Sequence, residues 1–166
     1  MRARIRPFRA ADAWTCRRIM YDSIHVGAAR HYDRAQRAAW IDSPQPPESW
    51  LDRLADHVTL LAEEVTAEAD LPVAFGTMRR DGYLDLLFVR PEVIGRGVAG
   101  PLLDALEEGV ADACPPRFHA RASLMARPFL ERRGWSVTAE APQTRTGVTL
   151  PAFDMEWIVL GSEDAA

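Results

Sequence analysis

Lysine is absent: all 20 basic residues are arginine. A lysine nucleophile and the lysine of a phosphate-binding Walker loop are therefore excluded. Cysteine is scarce as well. Cys16 and Cys114 lie in apolar, helix-patterned surroundings without metal-ligand spacing, so both are expected as buried free thiols. His25, His31, His57 and His119 are scattered, which leaves no zinc pattern and no expected metal. No run approaches the roughly 20 apolar residues of a membrane span. The basic stretch Met1–Pro7 is followed by no apolar segment, unlike a signal peptide. A cytoplasmic protein without membrane contact is expected. A net charge of −4 supplies no basic stripe for nucleic acid. Repeats and low-complexity tracts are missing too.

What is present fits one globular domain. The 166 residues are 48% apolar and 27% charged, enough to bury a core without disulfides. Residues 4–8 read as a first strand. From residue 10 to 29 the apolar positions recur at helical spacing, with Asp12 as the expected cap. Short helices are expected from Asp33 through Trp40 and over 48–56, separated by the Pro-rich segment 42–47. Strands are expected over 57–64, 72–78 and 82–89, the last bounded by Asp81-Gly82 and Pro91. A helix over 98–114 carries the stripe Val98, Leu102, Leu106 and Val110. A strand at 118–122, a helix at 124–133 closed by Gly134, a strand at 135–140 and one long strand over 148–160 complete the order. This is an α+β, three-layer arrangement: a mixed, mostly antiparallel sheet of about seven strands flanked by helices.

The chemistry concentrates in Val89-Arg-Pro-Glu-Val-Ile-Gly-Arg-Gly-Val-Ala-Gly100. Gly95, Gly97 and Gly100 match the dinucleotide pattern G-x-G-x-x-G, but five residues separate the strand from Gly95, and the next strand, Phe118-His-Ala-Arg-Ala122, ends in no acidic residue. A Walker loop fails because Pro101-Leu102 stand where Lys-Ser/Thr is required. Small residues ahead of a helix still let backbone amides approach a phosphate closely, and the helix dipole favours the anion. Pro101 fits only the first turn, where its missing N–H costs nothing.

Leu87-Phe-Val-Arg-Pro followed by Gly95-Arg-Gly-Val-Ala resembles the acyl-CoA motif of the GNAT superfamily of N-acetyltransferases. Ala122-Ser-Leu-Met-Ala-Arg-Pro-Phe-Leu-Glu-Arg-Arg-Gly-Trp135 resembles that family's second motif, and the order of elements matches along nearly the whole chain. Residues 30–40 and 147–155 resemble a bacterial branch of mostly unassigned substrate. The resemblance implies one acetyltransferase domain over 1–166 and acetyl-CoA as co-substrate, without metal. The sheet would splay at the acyl-CoA site, where Phe88 and Val89 meet the pantetheine arm. The pyrophosphate would rest on the amides of Gly95, Arg96, Gly97, Val98, Ala99 and Gly100. Ile94 stands where relatives have Gln or Arg, and its amide would still serve. Ser123 stands where relatives often carry Asn against the cofactor. Leu130 occupies the position of the Tyr that protonates the leaving thiolate in many relatives, so Ser123 and Tyr32 become the candidate acids.

Asp85, mid-strand among apolar neighbours, is the candidate base or amine-binding group, with pairing to an arginine or capping of a neighbouring loop as its structural alternatives. Tyr83 shares its face by the two-residue period. Asp154 and Glu156 lie together on one face of the last strand and could draw a cationic amine. The acceptor pocket is expected from the N-terminal helices, with His25, His31, Tyr32 and Trp40 as candidates and His31, Tyr32 and Trp40 as the contacts chosen. The expected activity is acetyl transfer to a primary amine, of a small molecule or a peptide, by direct attack in a ternary complex. A non-catalytic acyl-CoA-binding module is the alternative. The sequence leaves monomer and homodimer both open.

Overall fold

The computed structural model describes residues 3–159; Met1, Arg2 and the end of the expected last strand at Leu160 lie outside that range. A seven-stranded sheet has the order β1-β2-β3-β4-β5-β9-β6, comprising β1 (Ala3–Pro7), β2 (Val58–Glu64), β3 (Leu71–Met78), β4 (Tyr83–Val89), β5 (Arg117–Ser123), β6 (Ser136–Glu140) and β9 (Ala152–Ile158). All neighbours pair antiparallel except β4 and β5. A separate hairpin joins β7 (Gln143–Arg145) to β8 (Val148–Leu150). The long final strand expected from the sequence is thus two strands broken at Pro151, which has no N–H for a sheet ladder.

Helices cover both faces. Helix α1 (Ala13–Asp22) and α3 (Trp50–Ala55) pack around Cys16, Ile19, Trp50, Leu54, Phe75 and Leu86. The long helix expected over 10–29 is a 3₁₀ turn, then α1, then a π-helical turn over Ser23–Gly27. Helix α2 (Arg34–Trp40) starts as expected at Asp33, whose carboxylate accepts from the Gln36 amide at 2.8 Å. Helix α4 (Ala99–Gly109) buries Leu102, Leu103 and Leu106 in the second core cluster, each contributing about 1.5–3 kcal/mol. It ends five residues before Cys114. That residue has φ +47 after a 3₁₀ turn and is exposed, which corrects the expectation of a buried thiol. Cys16 is buried, and desolvation pushes its thiol up to about 12. Helix α5 (Ala126–Glu131) packs on β5 and β6.

Asp12 does not cap α1 with its side chain. Its carboxylate pairs with Arg6 at 2.7 Å, and Arg6 also donates to the buried Glu63 at 2.6 Å. These guanidinium contacts hold both carboxyl groups below their ordinary values. The stability they supply is present above the unfolded carboxylate pKa and disappears as pH falls through the lower folded values. Glu107 on α4 behaves oppositely: burial raises its carboxyl to about 7. Its contribution is complete below the unfolded pKa near 4.3 and is lost as pH rises through 7. Glu107→Gln is expected to raise Tm by about 2–4 °C at pH 8 and to leave it unchanged at pH 4, measured by thermal unfolding.

Candidate active site

The parallel strands β4 and β5 are joined at Tyr83–His119 and Leu84–Ala120 alone, and their remaining residues have no register partners across the gap. A β-bulge shapes the β4 side. Thr77 pairs with Leu86 and Met78 with Leu84, so Asp85 is the extra residue. The bulge breaks the alternation, so that Leu84 packs in the α4 cluster and Leu86 in the α1 cluster, while Tyr83 and Asp85 line one cleft. Beyond it, Arg90 donates to its opposite residue Val73 at 2.8 Å, which makes 90–73 a hydrogen-bonded pair. Antiparallel alternation then directs the backbone groups of Phe88 to Phe75 and those of Leu87 and Val89 into the gap. The free edge therefore belongs to Leu87 and Val89. Phe88, expected to offer its backbone, offers its ring instead, stacked on Phe75 with centroids 5.9 Å apart.

Two cavities meet at this splay. The larger, about 410 Å³, is lined by Leu87, Phe88 and Val89, by Ile94, Gly95 and Val98 to Gly100, by Ser23 and Ile24 of the π-helical turn, and by Ala28 just after it. Gly95 and Gly97 have φ of +81° and +80°, and a Cβ at either would meet nothing within 4 Å. That open, left-handed backbone leaves its amides accessible. Among the described residues, the amides of Gly95, Gly97, Val98, Ala99 and Gly100 donate to no backbone carbonyl. Those of Ile94 and Arg96 do, to Pro91 at 3.4 Å and Val93 at 3.1 Å, and are removed from the expected phosphate cradle. The Ile94 side chain still faces the cavity, whereas Arg96 is exposed and does not line it. Arg132 at the end of α5 does line it, a cation not singled out from the sequence.

The smaller cavity, about 190 Å³, is lined by Tyr32, Tyr83, Asp85, Arg53, Arg121, Leu130 and the β7–β8 hairpin. Trp40, Leu87, Phe88, Ser123 and Ala126 line both cavities and form their common wall. Asp85 accepts two hydrogen bonds from Arg53 of α3, both 2.8 Å, which also raise the Arg53 pKa. Its carboxylate is 16% exposed against 46% for Arg53, so the acid is held from the solvent side. Tyr83 lies under the Arg79 guanidinium and against His119.

Tyr32 is buried, and its hydroxyl donates to the Pro151 carbonyl at 2.9 Å while accepting from the Leu124 amide at 2.8 Å. Desolvation raises its pKa. Ser123 Oγ accepts from the Ala126 amide at 3.1 Å, and its hydroxyl lies beside that of Tyr32, whose ionised form it favours. Leu130 is fully buried in the α4 cluster. His31 is exposed and lines neither cavity, so it is not brought to the site. Trp40 is brought there, edge-on to Tyr32 and Phe88. Asp154 and Glu156 are paired with Arg121 and Arg117 and border a separate polar shelf. Among the described residues, no group of three or more His, Cys, Asp or Glu could hold a metal ion.

A mixed sheet splayed between β4 and β5, followed by a loop of accessible amides and α4, is an arrangement shared with N-acetyltransferases. The chain belongs to the GNAT acetyltransferase family: residues 28–159 match its domain model, described as "Acetyltransferase (GNAT) domain". It is an acetyl-CoA-dependent N-acetyltransferase. It is 29% identical over 153 residues to the uncharacterized N-acetyltransferase YafP of Escherichia coli K12, covering 92% of this chain and 94% of that one. A GCN5-related N-acetyltransferase from Rhodopseudomonas palustris superposes with a TM-score of 0.84 at 26% identity, over 96% of this chain and 97% of that one. The fold is shared with the PaiA N-acetyltransferase of Thermoplasma acidophilum, solved with coenzyme A, at a TM-score of 0.72 and 17% identity. That match covers 96% of this chain and all of the other.

Proposed function

We propose that the protein transfers the acetyl group of acetyl-CoA to a primary amine by direct attack, with both substrates bound together. The observation that carries this reading is the common wall: two cavities, one lined by free amides and one by titratable groups, touch at the splay. Leu87 and Val89 would hold the pantetheine arm through their free backbone groups, and the loop amides with Arg132 would hold the phosphates. In the reaction the ammonium gives up one proton to solvent before attack; the amine nitrogen then bonds to the carbonyl carbon as the carbon–sulfur bond breaks, and the second proton that nitrogen loses balances the one taken up by sulfur.

Asp85 accepts a hydrogen bond from the incoming ammonium, orients it and receives its proton for release to water. Arg53 holds the carboxylate in place between turnovers. Ser123, on the common wall, donates toward the sulfur. A thiolate with pKa near 8.5 needs little more than such a donor. Tyr32 is assigned a bridging role, because its own proton is given to Pro151.

Release of free CoA thiol, followed against a panel of primary amines, tests this reading. Amine-dependent release with stoichiometric N-acetyl product is expected. Tight acetyl-CoA binding with no release on any amine would leave a binding module. Ser123→Ala is expected to lower kcat about 10–100-fold, the worth of one hydrogen bond to a charged group. Tyr32→Phe instead strands the Leu124 amide. It should lower stability by about 1–3 kcal/mol while turnover per folded molecule holds.

A further inference from the structure

The acceptor cavity is charged unevenly. Its lining carries Arg53, Arg121 and Arg145 against a single carboxylate, Asp85. Asp85 is bound on both oxygens by Arg53, and Arg121 is bound by Asp154 at 2.9 and 3.2 Å. Arg145 differs from both. Among the described residues it meets no carboxylate, and its guanidinium rests on two neutral oxygens, the Trp40 carbonyl at 3.4 Å and Gln143 Oε1 at 3.2 Å. These long contacts leave most of its donors, and the Gln143 amide, for a ligand.

The strand that carries Arg145 is fixed. Gln143 and Arg145, two residues apart on β7, share one face. Thr146 and Gly147 link them to β8 with φ of +48° and +78°, both left-handed, as the tight hairpin turn requires. The hairpin is tied down by Gln36 donating to the Thr149 carbonyl at 3.1 Å and by Tyr32 donating to Pro151 just beyond. Leu150 is buried against Ala28 and Tyr32. An arginine held over a cavity without a counter-charge is a preorganised anion site. A purely cationic acceptor, such as a polyamine, would meet the one surplus positive charge there, that of Arg145.

We propose that the acceptor is a small amine that also carries an anionic group, a carboxylate or a phosphonate, and that Arg145 with Gln143 binds that group while Asp85 meets the ammonium. This rests on the reading of the smaller cavity as the acceptor site. The recognition is of a zwitterion, with its negative end at the hairpin and its positive end at the bulge of β4.

The test uses matched probes: free α-amino acids, their C-terminal amides, aminoalkylphosphonates and spermidine. Each is titrated into the full chain loaded with CoA, with binding read by calorimetry, and separately offered with acetyl-CoA for thiol release. Acids or phosphonates are expected to bind about 10–100-fold tighter than their amides or spermidine. Arg145→Gln should abolish that preference, and Arg145→Lys should restore part of it. In turnover the Arg145→Gln loss should fall on KM, with kcat nearly held. Because Arg145 is exposed, the variants keep their fold, which an unchanged Tm verifies. Equal or better binding of amides or spermidine, or an Arg145→Gln variant with unaltered preference, overturns the proposal. Arg145-dependent binding of the acids without thiol release would uphold it and overturn the transfer reading instead.

Discussion

Asp85→Asn is expected to lower kcat/KM for the amine by about 10²-fold or more while acetyl-CoA affinity stays nearly intact. The substituted amide preserves shape and can still accept one bond from Arg53, but it cannot take a proton. The deficit should shrink as pH rises toward the amine's own pKa, near 10 for an alkylamine, because an acceptor that arrives neutral needs no base. The structure sharpens the control. Arg53 is nearly half exposed, so losing its partner leaves a solvated guanidinium and costs at most about 1 kcal/mol. A Tm within a few degrees of the parent is therefore expected. A pH–rate profile measured beside thermal unfolding decides the matter. A fully active Asp85→Asn variant would reduce Asp85 to a partner of Arg53 and pass the base role to Tyr83 or to a water in the cavity.

Gly82→Ala should be among the most damaging single methyl additions in the chain, lowering stability by about 2–5 kcal/mol and Tm by roughly 5–15 °C. Gly82 opens β4 with φ +87°, and a Cβ there would stand 2.3 Å from the Arg117 carbonyl oxygen. That oxygen belongs to backbone and cannot swing aside. The Gly82 carbonyl also accepts from the His119 amide at 3.0 Å, a bond at the closed end of the splay. Relief of the clash would pull β4 from β5 at their one joined stretch and change the opening of both cavities. Gly134→Ala is the control: φ is again +87°, but nothing lies within 4 Å, so conformational strain of about 1–2 kcal/mol is all that is expected. Equal losses in the two variants would mean that the contact with β5 has no energetic weight.

The strongly periodic elements were legible in the sequence. Val98, Leu102, Leu106 and Val110 are all buried along α4 and its flanks, and Asp33 caps α2 through the Gln36 amide. Asp12 failed as a cap because Arg6, six residues earlier in the chain, takes its carboxylate. The glycine loop was legible as a place for phosphate, yet which amides remain free depended on a 3₁₀ turn at 91–93 that consumes two of them. At the site, Asp85 was legible as a carboxylate in an apolar strand, but Arg53 was not, being one of many arginines on short helices. The bulge was invisible because it alters pairing without altering composition. Arg145 was missed because residues 143–145 are too few to show a period, and the hairpin turn at Thr146-Gly147 lacks the usual Asn or Asp.

Trp40 is edge-on to both Tyr32 and Phe88 and stands in the wall between the two cavities. A partition that belongs to both chambers makes their ligands thermodynamic neighbours. On the proposed assignment of the two cavities, any shift of the indole that favours a thioester on one side alters the fit of an amine on the other, and linkage requires the same factor in both directions. The indole is also a fluorophore at that boundary, so the protein carries its own optical gauge of how strongly its two substrates influence each other.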